Sequence, residues 1–158
     1  MYDPKCIANL FLDLAERDGK SLTPMKLQKL VYFAHGWHLA ITGKPLLDEV
    51  VEAWEYGPVI SSLYREFKEF GPEKITRRAR CAETIETEAF ARKLVERIWD
   101  IYGDYTGIQL SNLTHENDSP WTRTVEQSQQ EYGKILKHLD INQATIKTYF
   151  QSLGIVNK

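Results

Sequence analysis

The stretch from Thr23 to Pro45 constrains the fold more than any other part of the chain. Thr23-Pro24 is a helix start, a hydroxyl cap followed by a ring whose fixed φ suits the first helical position. Leu27, Leu30, Val31, Ala34, Trp37, His38 and Ile41 then recur at three- and four-residue spacing, the signature of one buried helical face. Gly43 closes the pattern where a left-handed residue ends a helix, and Pro45 prevents its return.

Similar punctuation divides the rest of the chain. Asp3-Pro4 opens a first helix whose apolar positions Ile7, Leu10, Phe11 and Leu14 run up to Gly19. Leu46 to Tyr56, with Val50, Val51 and Trp54, reads as a short strand or extended segment between Pro45 and Gly57-Pro58. Pro58 fits the first turn of a third helix carrying Val59, Leu63, Phe67 and Phe70, stopped by Gly71-Pro72. Residues 73 to 87 read as a polar loop with a brief strand. Thr87 opens a fourth helix bearing Phe90, Leu94, Ile98, Ile101 and Tyr102, ending at Gly103. Thr106 with Gln109 is a capping box before Leu110 and Leu113. Ser119-Pro120 starts a helix at Trp121, and Ile141-Asn142 precedes a last one bearing Ile146, Tyr149, Phe150 and Leu153. The expectation is a mainly α, compact single-domain bundle over 1–158, with six to seven helices and at most a short two- or three-stranded β element near 46–57 and 73–86. No repeat or linker marks a boundary.

Composition excludes some classes of function. Hydrophobic residues make up 42% of the 158 and charged ones 27%, the balance of a soluble globular protein. Twenty Lys and Arg against 22 Asp and Glu leave a net charge of -2, so no global field favours nucleic acid or an anionic membrane. MYDPKCIANL has none of the features of a secretion signal, and no apolar run reaches bilayer length. Cys6 and Cys81, far apart and without CxxC spacing, read as reduced thiols, consistent with a cytoplasmic protein.

Motifs for chemistry are sparse. There is no phosphate-binding GxxxxGK[ST], no GxGxxG, no GxSxG and no HExxH. His35 and His38, three apart on one helix, have the spacing to share a metal with His115 or Glu116, but His38 lies among apolar neighbours and the pair reads as structural. No catalytic residue, cofactor or metal is expected. Lys74, Arg77, Arg78 and Arg80 form the most basic run, diluted by Glu83, Glu86 and Glu88, and read as a solvated face. Trp37 and Tyr149 fall on apolar helical faces and read as core, whereas Trp54 and Trp121 flank turns where either could anchor a partner.

The run Leu27-Gln28-Lys29-Leu30-Val31-Tyr32-Phe33-Ala34-His35-Gly36-Trp37-His38-Leu39 resembles the KLQKLxYFAxGWxLA block of the SocA-like antitoxin family, also called Panacea domains and related to the GepA proteins of phages and mobile elements. Thr42-Gly43-Lys44-Pro45-Leu46 continues the likeness. Glu52-Ala53-Trp54-Glu55-Tyr56-Gly57-Pro58-Val59 resembles its EAWxYGPV element, and Tyr64 is placed like the tyrosine of the helix that follows. Leu113-Thr114-His115 and Pro120-Trp121 are similar to its L(S/T)H...PW segment, and Ile146, Tyr149 and Phe150 to its terminal helix. The likeness runs from Leu10 to Leu153, with no placeable motif in 72–105.

The resemblance implies a non-enzymatic helical domain that binds and neutralises a toxin encoded beside it, often in a prophage, with some relatives delivering the toxin to a cellular protease. It nominates Trp37, His38, Trp54, Tyr56, Gly57, Pro58, Tyr64, His115 and Trp121 as motif and candidate partner-binding residues. Neither membrane nor nucleic acid is implied as a partner. Two other readings stay open from sequence. One is a prophage-encoded regulatory protein that binds a host factor without any toxin. The other is a small hydrolase or nucleic-acid enzyme built on His38, His115 and Glu116 or Asp118.

Overall fold

Three helix starts share one chemistry. Asp3, Thr23 and Ser119 each stand in extended backbone before a proline and accept a hydrogen bond from a main-chain N–H two or three residues on. These caps fix the starts of α1 (Pro4–Arg17), α2 (Pro24–Thr42) and α6 (Pro120–Tyr132). Thr106 and Gln109 form the reciprocal capping box of α5 (Gly107–Thr114), and Asn142 caps α7 (Gln143–Ser152). The remaining helices are α3 (Ser61–Phe67), which runs into a 3-10 turn at Lys68–Phe70, and α4 (Phe90–Tyr102). The computed structural model describes residues 1–154.

Helix α2 is the axis of the molecule. It is buried on nearly every side from Leu27 to Ala40 and touches α1, α3, α4, α5 and α7. Gly36 makes the closest of these approaches possible, because a Cβ there would stand 2.3 Å from the Phe150 ring of α7. Phe150 meets Tyr32, Phe33 and Trp37 edge-on, with ring centroids 5.2–6.0 Å apart. Trp37 Nε1 donates to Tyr102 Oη of α4 at 3.1 Å, and Phe33 stacks on the same tyrosine. The indole is thus satisfied inside the core.

Among the described residues three short strands complete the fold: β1 (Glu52–Trp54), β2 (Gly57–Val59) and β3 (Leu139–Asp140), antiparallel in the order β2-β1-β3. The mainly α fold with a small β element is as the sequence leads one to expect, but its parts are placed differently. Pro58 does not open the third helix. It pairs with Ala53 in the edge strand β2, where a missing N–H costs no ladder bond, and the helix begins at Ser61. The third strand lies at 139–140, and none lies in 73–86. There, backbone groups bond elsewhere: Asn9 clamps both the N–H and the carbonyl of Ala79, and Ile75 N donates to Leu22 O. The fourth helix starts at Phe90 rather than Thr87, with the Arg92 guanidinium taking up the Ile85 and Glu86 carbonyls just before it.

Cys6 and Cys81 are joined as a disulfide, which corrects the expectation of separate reduced thiols. The reason is spatial. Packing of the 73–86 segment on α1 brings together two residues 75 apart in the chain. The basic run is dispersed: Arg77 pairs with Glu66 and Glu69 and lies over the Phe67 and Phe70 rings, while Arg78 pairs with Asp13.

Candidate partner-binding cleft

A cleft of about 850 Å³ opens between the amino-terminal half of α2, the β1–β2 hairpin, α3 and α6. Each wall has a local cause. Thr23 and Pro24 start α2 at the rim, which places Met25, Gln28 and Lys29 along one side. Gln28 spends both ends of its amide on Ile60, donating to the carbonyl at 2.9 Å and accepting from the N–H at 3.0 Å. That pair fixes the exit of the hairpin against α2, so the hairpin cannot slide along the helix without breaking two buried bonds.

The hairpin presents Trp54 and Tyr56. Trp54 lies between two other rings, edge-on to Tyr64 at 4.8 Å and stacked on His138 at 4.1 Å, and its indole donates to Glu52 Oε1. Trp121, at the start of α6, donates through Nε1 to the Trp54 carbonyl at 2.7 Å and packs against the His115 ring. His115 Nδ1 donates to Ser111 O at 2.6 Å, which holds its ring in place. Tyr56 stands at the hairpin tip, 72% exposed. The far wall is the segment Ile135–His138, where His138 takes a left-handed φ of 54°.

Lys29 is the unusual member. It is 3% exposed, and its Nζ donates to Pro58 O at 3.0 Å. No carboxylate pairs with it among the described residues. Burial pushes its pKa down to about 8. Gly57, with φ 126°, is the backbone position that accommodates it, since a Cβ there would meet Lys29 Nζ at 3.0 Å and His115 and Thr114 at 3.2 Å.

The residues nominated from sequence separate into two groups. Trp54, Tyr56, Tyr64 and Trp121 line the cleft, and Gly57, Pro58 and His115 support it from behind. Trp37 lies in the core, and His38 sits at the other end of α2, bonded through Nδ1 to Lys44 O at 2.6 Å with its ring against Phe90. His38 and His115 therefore share neither a hydrogen bond nor a ring contact. Asp118 lines a separate polar depression with Arg123 and Asp140. Among the described residues no three of His, Cys, Asp and Glu gather as metal ligands would.

Sequence reasoning missed Lys29, Met25 and Ile135–His138. A signal for Lys29 existed. A helix that is apolar on more than one face is a central helix, so any lysine within it must be buried or line an opening. Another buried polar group of that helix, His35, is fully buried and satisfied at both nitrogens: Nε2 donates to Gln143 Oε1 at 2.8 Å and Nδ1 accepts from Leu47 N at 3.4 Å. Burial pushes its pKa down to about 4.

No helix among the described residues is long and apolar enough to cross a membrane. The family model described as antitoxin SocA-like, Panacea domain, matches residues 27–122, from α2 through the first turn of α6. Antitoxin SocA of Caulobacter vibrioides (strain NA1000 / CB15N) is 33% identical over 128 residues, covering 75% of this chain and 68% of that protein. No solved structure matches significantly.

Proposed function

Because the chain belongs to the SocA-like, Panacea-domain family of antitoxins, we propose that it is the antitoxin of a toxin–antitoxin pair and neutralises its toxin by direct binding in the aromatic cleft. It acts as one non-enzymatic domain over 1–158 on a protein encoded beside it. The observation that carries the reading is the concentration of exposed apolar side chains at one place: Met25, Tyr56, Tyr64 and Ile135 all line the same cleft. An open groove rimmed by large apolar groups is the form of a protein-docking surface.

Co-expression with the adjacent reading frame tests it. The neighbour stops growth when expressed alone, growth returns when this chain is supplied, and the two proteins co-purify. A neighbour that is harmless alone, or toxic and not rescued, overturns the reading. Toxin lifetime in the same cells separates sequestration from delivery to a protease, since only delivery shortens it.

A further inference from the structure

The buried and half-buried polar groups of the cleft are already committed, with one exception. Both ends of the Gln28 amide are bonded to Ile60, the Trp54 indole to Glu52 and the Trp121 indole to the Trp54 carbonyl. Lys29 differs. An ammonium carries three donors, and Pro58 O is its single hydrogen-bond partner among the described residues. A buried charge without a counter-ion is costly, and an apolar side chain of similar length would fill the same space without that cost. The rim adds charge of the same sign, with Lys68 and Lys137 against the one carboxylate of Glu55. The cleft therefore combines apolar walls, a positive bias and a floor group able to donate twice more.

This selects the chemistry of what fills it. A sugar or nucleotide brings several hydroxyls and phosphate oxygens, and inside the cleft the committed amide and indoles offer them no free donors, the Tyr56 and Tyr64 hydroxyls, Lys68 and Lys137 being exposed at the rim. An apolar ligand with no acceptor leaves Lys29 as it is. One carboxylate beside a large apolar group satisfies both features, and the cleft is within the size range that encloses ligands larger than a single side chain.

We propose that the cleft takes a segment of the toxin in which an aspartate or glutamate stands next to a large apolar residue, the carboxylate seated on Lys29 Nζ and the apolar group among Trp54, Tyr56 and Tyr64. The proposal rests on the toxin-binding reading and adds the chemistry of recognition to it. Charge-assisted pairing to a desolvated lysine makes this contact a point of selection: a toxin without the acid leaves the ammonium unpaired.

The test uses the whole chain and the purified product of the adjacent gene, with affinity read by calorimetry. Lys29→Met, whose thermal melt reports folding, binds at least tenfold more weakly, while Lys93→Ala, at an exposed lysine of α4 outside the cleft, stays within threefold. An Asp→Asn and Glu→Gln scan of the toxin against the unaltered chain finds one acid beside a large apolar residue whose replacement costs at least tenfold. That loss disappears when measured against Lys29→Met. Because the scan leaves this chain unaltered, it decides the matter even where Lys29→Met fails to fold. Folded Lys29→Met binding within twofold of wild type, or a scan in which no acid matters, overturns the proposal while the antitoxin reading stands. Loss of binding when a short tail extends the toxin's carboxyl terminus assigns the seat to the chain end instead, and also overturns it. No binding by the unaltered chain overturns both.

Discussion

His35 and Lys29 sit on the same helix less than two turns apart, and both are hidden from solvent, yet their surroundings differ in kind. Around His35 the donor and acceptor needs of a neutral imidazole are met by Gln143 and Leu47. Around Lys29 one donor is used, and the ammonium lies beside an open cleft. Full satisfaction marks a group that belongs to the fold, and partial satisfaction leaves donors that a partner can use. The carboxyl-terminal half of α2 is accordingly a packing element, and its amino-terminal half is one wall of the cleft proposed to bind the toxin.

The packing half breaks most readily at Gly36. Helix propensity alone makes Gly36→Ala stabilising by about 1 kcal/mol. The new Cβ, however, stands 2.3 Å from a Phe150 ring wedged among Tyr32, Phe33 and Trp37, which has no room to yield. Overpacking wins, and urea denaturation shows a net loss of at least about 3 kcal/mol. A stabilised variant would mean that α7 is not seated on α2 as described.

The next largest effect is acid lability through His35. Its pKa falls from the usual 6.5 to about 4 on folding, chiefly through burial. Between those values the unfolded chain binds the extra proton, so stability present above pH 6.5 is lost as pH falls through 4, by up to about 3 kcal/mol. Denaturation midpoints across that window drop for the wild type and drop less for His35→Gln. Parallel curves would remove His35 from the acid limb.

Lys29 acts in the same direction at the alkaline end. Its pKa falls from 10.5 to about 8 on folding, through burial. Between those values the unfolded chain again holds more protons, so stability rises with pH from about 8 to 10.5, by up to about 3 kcal/mol. Lys29→Met lacks this rise and is the more stable protein at neutral pH. Toxin binding, by contrast, is where the methionine variant fails. A residue that weakens the fold and strengthens an encounter is what separates the two halves of the helix.

How much of this was legible from sequence follows from how far apart the deciding residues lie. The caps at Asp3, Thr23, Thr106 and Ser119 act within three residues, and helices read from them are the helices found. Pro58 was ambiguous, because both the first turn of a helix and an edge strand tolerate a missing N–H. The β3 strand is two residues long and exists only because Glu52 and Ala53 pair with it across more than half the chain. The Cys6–Cys81 contact is equally non-local. At the cleft, Trp54 and Trp121 were readable as aromatics beside turns, and Tyr56 and Tyr64 through their places in the family motifs. Lys29 carried only the indirect signal of a lysine in a helix apolar on more than one face, since a helical lysine is ordinarily a surface residue, and the wrapping of α2 by five other helices and β2 is what buries it.

The smallest effect on stability is expected at Tyr56, and it tests the comparison from the other side. Tyr56 is the most exposed aromatic of the cleft, at 72%, and its side chain makes no hydrogen bond within the described residues. Truncation to alanine removes little buried area, so Tyr56→Ala changes unfolding free energy by no more than about 0.5 kcal/mol. At a docking surface, an exposed tyrosine that becomes buried on binding is among the residues whose loss is felt most. The variant should therefore melt with the wild type and fail to rescue growth in the co-expression assay. A variant that rescues fully would move the docking surface away from the hairpin tip. One that unfolds would place Tyr56 with His35 and Gly36 among the residues the fold itself requires.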